Sequence, residues 1–426
     1  MLVAAFLLLF AVLALGTPIF VALSATVMAA LGVHTDVPLE IVPQRMWAGI
    51  DSFTLMAIPF FLLSAELMRV GGLSERLIAL ARAMVGFLPG GLAMSGVLAC
   101  MFFACISGSS PATVAAVGGI MIPGLVKSGY SLRFATGLFT VAGSLGILIP
   151  PSITFIIYGA VTGASIGALF LAGVIPGLVI GGLLMGYCAI HSIKAKIPRD
   201  PMPGARQFLK AIRESVWCLG LPVVILGGIY GGIFTATEAA AVSVIYAFFV
   251  GYFVYGQLRL RDLGPILRNT GLTTAVLLLV IAGASAFSWL LASQEIPQKL
   301  AATVLSLSHE RWAVLLLFNV ILLIAGCFLE SASAVVIFMP LMLPIAQQVG
   351  IDPIHLGVIF VVNMEIGMVT PPVGLNLMVA KMITNQSFSA VTRSVLPFMV
   401  VMLIGLVLIT YVPPLSTLLP SLLSRQ

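Results

Sequence analysis

GMVTPPVGLN, residues 367–376, interrupts an apolar run whose flanks otherwise match a membrane-spanning helix. Proline removes a backbone donor and clashes with the preceding turn, and it drives the residue before it toward extended backbone. At membrane depth the N–H and C=O groups released in this way cost several kcal/mol each if lipid is their neighbour. Such a break is tolerated where it faces a protein-lined cavity or an ion. A second break of the same kind is GILIPPS at 146–152, and two further polar interruptions are CISGSSPAT at 105–113 and GCFLESAS at 326–333.

The chain around these breaks is built for lipid. Of its 426 residues 61% are hydrophobic and 8% charged, with a mean hydropathy of +1.19, whereas a soluble domain carries about a quarter of its residues charged. Apolar stretches of about 18 residues or more recur from end to end, which marks an all-α polytopic membrane protein in contact with membrane lipid. Met1 to about Leu31 has no basic n-region and no small-residue cleavage site, so it reads as a retained first span. The net charge of +6 comes from basic residues gathered in loops, where they set orientation and do not imply a nucleic acid partner. Cys100, Cys105, Cys188, Cys218 and Cys327 stand singly in apolar surroundings and read as small buried hydrophobes. The four histidines are dispersed near span ends, and no GxxxxGK[ST] motif signals a nucleotide-driven motor in this chain.

The interruptions come in pairs. ACISGSSPATVAAVGGIMIP, ending at Pro123, aligns with GCFLESASAVVIFMPLMLP, ending at Pro344, at an offset of 221 residues. The same offset puts Gly129 on Gly350, Gly146 on Gly367, Pro150 on Pro371 and Pro151 on Pro372, and upstream it puts Ser64 on Ser285. A constant offset joining a hairpin-like unit to a broken-helix unit predicts two structural repeats, at 50–190 and 270–411. Around them lie a first span and outer loop (1–49), a basic cytoplasmic loop with two central spans (191–269) and a C-terminal tail (412–426).

Basic residues orient the repeats. Lys194, Lys196, Arg199, Arg206, Lys210 and Arg213 mark one cytoplasmic loop and Arg259, Arg261 and Arg268 another, with crossings at about 216–234 and 237–255 between them. If the two repeats are inverted, every lysine and arginine falls inside except Arg45, Lys299, Arg311 and Arg425. Each repeat then holds a crossing, a short amphipathic arm (74–86, 295–308), a hairpin (89–125, 312–346), a broken helix (134–160, 356–380) and a return. Two full spans are the alternative for each hairpin, but about 35 residues is short for two crossings and a turn, and re-entrant half-depth helices fit better.

The chemistry is expected at the four interruptions. Pro150–Pro151 and Pro371–Pro372 release carbonyls around Gly146–Ile149 and Gly367–Thr370, the hydroxyls of Ser107, Ser110 and Thr370 add neutral oxygens, and glycines allow close approach. The half-helices that resume after the breaks aim positive N-terminal ends at the midplane, where an anion can be received. The candidate substrate-binding residues are Ser109, Ser152, Glu330, Ser331 and Asn376, and Asn363 and Glu365 are candidates for bonding to the freed backbone. SGSS has no histidine nearby to activate a serine, which argues against an intramembrane hydrolase. Simple helix bends remain the alternative account of the breaks.

SGSSPATVAAVG, GILIPPS and above all GMVTPPVGLNL resemble the large membrane subunit of the tripartite ATP-independent periplasmic (TRAP) transporters, the DctM-like group, over essentially the whole chain. That resemblance implies an inverted-repeat, ion-transporter-like fold with two re-entrant hairpins and two broken helices, moving as an elevator in the bacterial inner membrane. It implies sodium (Na+) as coupling ion, with one site from Ser107, Ser110, Gly146, Ile149 and Pro151 and a second from Gly326, Gly367 and Thr370. It further implies an organic-acid anion such as a C4-dicarboxylate as cargo, a small four-helix DctQ-like membrane subunit and a periplasmic DctP-like substrate-binding protein. A stand-alone sodium- or proton-coupled carboxylate carrier is the alternative, and neither reading is an enzyme.

Overall fold

The computed structural model describes residues 7–9, 11–13, 15–34, 37–307 and 309–423, and among these every regular element is helical. Eight helices are long and apolar enough to cross a membrane, nine if the bent pair at the first break counts as one span.

The first half opens with α1 (Ile19–His34) and α2 (Ile41–Ile50), then α3 (Ala57–Val70) and the arm α4 (Leu73–Val85). A hairpin of α5 (Gly91–Ser107) and α6 (Ser110–Lys127) follows, then the interrupted pair α7 (Leu132–Leu148) and α8 (Ile153–Thr162), and the long α9 (Ile166–Lys194). Two central helices, α10 (Ala205–Tyr230) and α11 (Ala236–Val254), lead to the second half. There α12 (Leu263–Ser293), the arm α13 (Ile296–Leu307), the hairpin α14 (Arg311–Gly326) and α15 (Ser331–Gln348), the interrupted pair α16 (Pro353–Met368) and α17 (Leu375–Thr384), and α18 (Phe388–Tyr411) repeat the order. α6 and α15 begin 221 residues apart, at Ser110 and Ser331, and so do α7 and α16, at Leu132 and Pro353.

Local chemistry sets these starts. Ser131 caps α7 by accepting from the Phe134 N–H at 3.1 Å, and at the equivalent position Asp352 caps α16 by accepting from the Ile354 N–H at 2.7 Å. Thr235 and Glu238 form a reciprocal capping box at the start of α11, the scaffold role that an acid in the first turn implies. The Glu66 carboxylate pairs with Arg69 at 2.7 Å, and the five cysteines are free thiols.

The structure departs from the sequence expectation in four places. The opening segment is not one unbroken span, because Gly16 (φ 78°) and Pro18 turn the chain ahead of α1; residues 1–6, 10 and 14 of that segment, and Arg425, lie outside the described residues. Part of the expected outer loop is the helix α2, which packs along α12. Arg206, Lys210 and Arg213 are not loop residues; they sit on the exposed face of the first turns of α10, whose Ala211, Ser215 and Cys218 are buried. The expected tail is a helix, α19 (Pro414–Leu423), docked on α9 and α16. In the last two cases apolar residues at helical spacing find a partner surface that local composition does not reveal.

α3 packs on α11 and α12, and the arm α4 packs on α10. The hairpins and interrupted helices pack on one another, and α16 is buried along its whole length from His355 to Met368. Lipid is left the outward stripes, such as Leu209, Val216 and Val223 on α10 and Val400, Ile404 and Val407 on α18, all exposed.

Candidate functional site

At the first hairpin tip Gly108 (φ 58°) reverses the chain in the left-handed region, and extended Ser109 feeds it into α6. The Ser107 hydroxyl closes this turn on itself, donating to the Ser109 carbonyl at 3.1 Å and accepting from the Ser109 N–H at 3.2 Å. Thr113 Oγ1 donates to the same carbonyl at 2.8 Å.

This tip rests on the first break. A Cβ added at Gly146 would run into Thr113 Oγ1 and stand 2.7 Å from the Ser109 carbonyl oxygen, and one at Gly108 would stand 2.8 Å from the Pro151 carbonyl oxygen. Pro150 and Pro151 offer no N–H to the carbonyls of Gly146 and Ile147 four residues back, and Ile149 and Ser152 are extended. Ser107, Ser110, Gly146, Ile149 and Pro151 are thereby gathered at one buried place.

The second tip meets the second break still more closely. A Cβ at Gly326 would stand 3.0 Å from Gly367 Cα, and one at Gly367 would collide with the backbone of Gly326. The Val373 N–H donates to the Cys327 carbonyl at 3.3 Å across the same contact. Thr370 Oγ1 donates to the Ile366 carbonyl at 2.6 Å, which leaves its oxygen lone pairs for another donor or a cation. The Gly367 carbonyl is only half released, because the Thr370 N–H donates to it at 2.9 Å. That bond tightens the last turn, as helix ends commonly do, and one lone pair remains.

Both tips border one cavity of about 100 Å³. Its lining includes Gly108, Ser109 and Pro111 from the first tip, Glu330 and Ser331 from the second, Ile147 and Thr154 at the first break, Met368 and Leu375 at the second, and Leu62 and Thr273 from α3 and α12. Glu330 also borders a crevice of about 230 Å³ beside Gly326 and Gly374.

Of the candidate substrate residues, Ser109, Glu330 and Ser331 line the cavity, while Ser152 and Asn376 stand behind it. Ser152 is fully buried and caps α8, accepting from the Phe155 N–H at 3.4 Å. Asn376, also fully buried, crosses to the first tip, where its Nδ2 donates to Ser110 Oγ at 2.6 Å and to the Thr140 carbonyl at 3.4 Å. Ser331 Oγ donates weakly to Met368 Sδ at 3.4 Å.

Asn363 and Glu365 do not bond to the freed backbone as expected. Asn363 Nδ2 donates to the Ile359 carbonyl at 2.8 Å and to Asn319 Oδ1 at 2.7 Å. Asn319 in turn donates to Thr410 Oγ1 at 3.2 Å, and His355 contacts the Thr410 carbonyl at 3.2 Å and Ser416 Oγ at 2.6 Å. This buried chain of polar groups ties α14, α16, α18 and α19 together, from Asn363 near the second tip to His355 at the far end of α16. Glu365 lies instead among the hydroxyls of Ser110, Ser144 and Ser331. Sequence reading missed Ser144, Thr154 and Thr273, hydroxyls in largely apolar helices whose local sequence does not say that they face the tips.

Paired tips seated on paired breaks around an internal cavity, within a many-helix apolar fold, define a membrane transport protein. Over residues 6–415 the chain matches the family described as the tripartite ATP-independent periplasmic transporter, DctM component, and it belongs to that family. It is accordingly a multi-pass, non-catalytic transport subunit of the bacterial inner membrane. It is 48% identical over 382 residues to the Pseudomonas aeruginosa C4-dicarboxylate TRAP transporter large permease protein DctM, covering 90% of each chain. To the Rhodobacter capsulatus protein of the same name it is 44% identical, covering 98% of each. The crystal structure of the Alcanivorax borkumensis YdaH transporter superposes with a TM-score of 0.64 at 15% identity, covering 95% of this chain and 98% of that one, a likeness of fold alone.

Proposed function

We propose that this chain is the large transmembrane subunit of a sodium-coupled, binding-protein-dependent importer of organic-acid anions, with C4-dicarboxylates the first substrates to test. The observation that carries the reading is the pair of tip-on-break contacts, Gly108 and Gly146 on one side and Gly326 and Gly367 on the other, flanking a common cavity. The names of the two DctM relatives support the substrate class. The groups at each contact are carbonyl and hydroxyl oxygens, the donor set that suits a small hard cation.

In this reading one sodium ion is held by Ser107, Ser110, Gly146, Ile149 and Pro151 and another by Gly326, Gly367 and Thr370. Ser109, Ser152, Glu330, Ser331 and Asn376 shape the anion pocket between them. Each ion moving inward gains about 2.3 kcal/mol per 100 mV of membrane potential. Coupling follows if the ions complete the tips that receive the anion, so that half-loaded carriers move poorly. The hairpins and interrupted helices travel together as an elevator against a scaffold of the arms, α3, α10 and α11, and the halves 50–190 and 270–411 act as inverted repeats. A separate DctQ-like four-helix subunit and a DctP-like binding protein complete the system.

Uptake into proteoliposomes tests this directly. Accumulation is expected with an inward sodium gradient and all three components, and little without the binding protein; full uptake by this chain alone would favour a stand-alone carrier. The ligand assignment makes a contrasting prediction. Thr370→Val removes a hydroxyl and is expected to raise the sodium concentration for half-maximal uptake about tenfold, the scale of a lost hydrogen-bonding group. Ile149→Val keeps the carbonyl and is expected to leave that concentration within about twofold, at a stability cost of about 1 kcal/mol. Equal sodium dependence in the two variants would remove the assignment.

A further inference from the structure

Glu365 is a buried acid that the reading above does not use. It is 1% exposed, and neither carboxyl oxygen has a hydrogen-bond partner. A carboxylate left this way in a membrane core is costly unless something completes its shell. Its polar neighbours come from three elements: Ser110 from the first tip, Ser144 from the helix entering the first break, and Ser331 from the second tip. Their hydrogens are available. Ser110 Oγ accepts from Asn376 and keeps its own hydrogen to give, Ser331 gives its hydrogen only to the weak acceptor Met368 Sδ, and Ser144 Oγ has no partner. The acceptor and the donors of a closed cluster are therefore all present, close to one another but short of good hydrogen-bond geometry.

We infer that Glu365 is a positioning residue that clasps the two hairpin tips to each other, its carboxylate drawing in Ser110 from one side and Ser331 from the other. A cation that orders either tip brings that tip's hydroxyl onto the carboxylate, which steadies α16 beside Gly367 and prepares the other tip. Occupancy of one ion site is then felt at the other through a carboxylate that belongs to neither. The inference rests on the sodium-coupled reading and adds to it the route by which the sites communicate.

The test is a sodium titration of thermal stability on the purified full-length chain, with choline as control. Wild type is expected to show a sigmoidal stabilisation with a Hill coefficient approaching about 2, the number of sites. Glu365→Gln is expected to bring the coefficient to about 1 and to raise the midpoint at least about fivefold, the lower end of ordinary site coupling. Ser144→Ala, which removes one hydroxyl from outside both ion sites, is expected to shift both quantities in the same direction by less. A Glu365→Gln protein that melts lower by the same amount at every sodium concentration, with wild-type coefficient and midpoint, overturns the inference and leaves Glu365 a structural residue. Should Glu365→Gln fail to fold, unchanged titration of Ser144→Ala overturns it equally. A wild-type chain that sodium stabilises no more than choline overturns the ion-coupled reading itself.

Discussion

Gly367→Ala is expected to cut sodium-driven uptake strongly, by roughly five- to a hundredfold, in a chain that still inserts and accumulates. The reason is the absence of slack. The added methyl would strike the Cα, carbonyl carbon and carbonyl oxygen of Gly326, and backbone at a packed helix end cannot swing aside as a long side chain does. Overpacking of this kind costs about 1–3 kcal/mol, occasionally more, and here it is relieved only by prising the second tip from the second break. Gly227→Ala and Gly186→Ala are the controls. Both glycines lie in helices with no neighbouring atom within 4 Å of an added Cβ, so uptake is expected to be unchanged and stability to rise by up to about 1 kcal/mol. Parallel uptake and membrane-abundance measurements decide the matter, and near-normal uptake by Gly367→Ala would show that the contact can open without harm.

Asn376→Ala carries the second large effect. The side chain bonds Ser110 and Thr140, 266 and 236 positions earlier in the chain, and its removal leaves the Ser110 oxygen without its donor at a dry site. Losing a buried hydrogen-bond partner costs about 1–3 kcal/mol, roughly five- to a hundredfold. The loss should appear as a raised sodium midpoint for uptake, because Ser110 is a proposed ion ligand, and not merely as weaker substrate affinity. A variant whose substrate KM rises while its sodium midpoint stays fixed would confine Asn376 to the anion pocket and remove its support of Ser110.

The parts legible in the sequence are those governed by local covalent chemistry. Proline cannot donate to the preceding turn and drives its predecessor toward extended backbone, so Pro150, Pro151, Pro371 and Pro372 mark the interruptions after Leu148 and Met368, and glycine and serine between apolar runs mark the tips. What escaped depends on partners distant in the chain. Local sequence leaves the Gly367 carbonyl free, but the turn before the proline tightens and half satisfies it. Glu365, read in isolation, suits a brace for the broken backbone; only the folded chain brings three serines from separate elements around it. The last helix docks through Ser416 on a buried histidine, and a ten-residue stretch with no distinctive motif does not announce such a partner.

The Asn376 crossing has a consequence for how such a molecule can be assembled. The position matching Asn376 in the first half is Phe155, fully buried and unable to hydrogen-bond through its ring. Two copies of the first half associating as a symmetric pair would present phenylalanine to each tip serine, and two copies of the second half would present asparagine twice to a tip that carries glutamate where the other has Ser109. Joining unlike halves in a single polypeptide lifts that two-fold constraint, so the tip at Ser110 can be served by an asparagine while the matching position at Phe155 stays apolar.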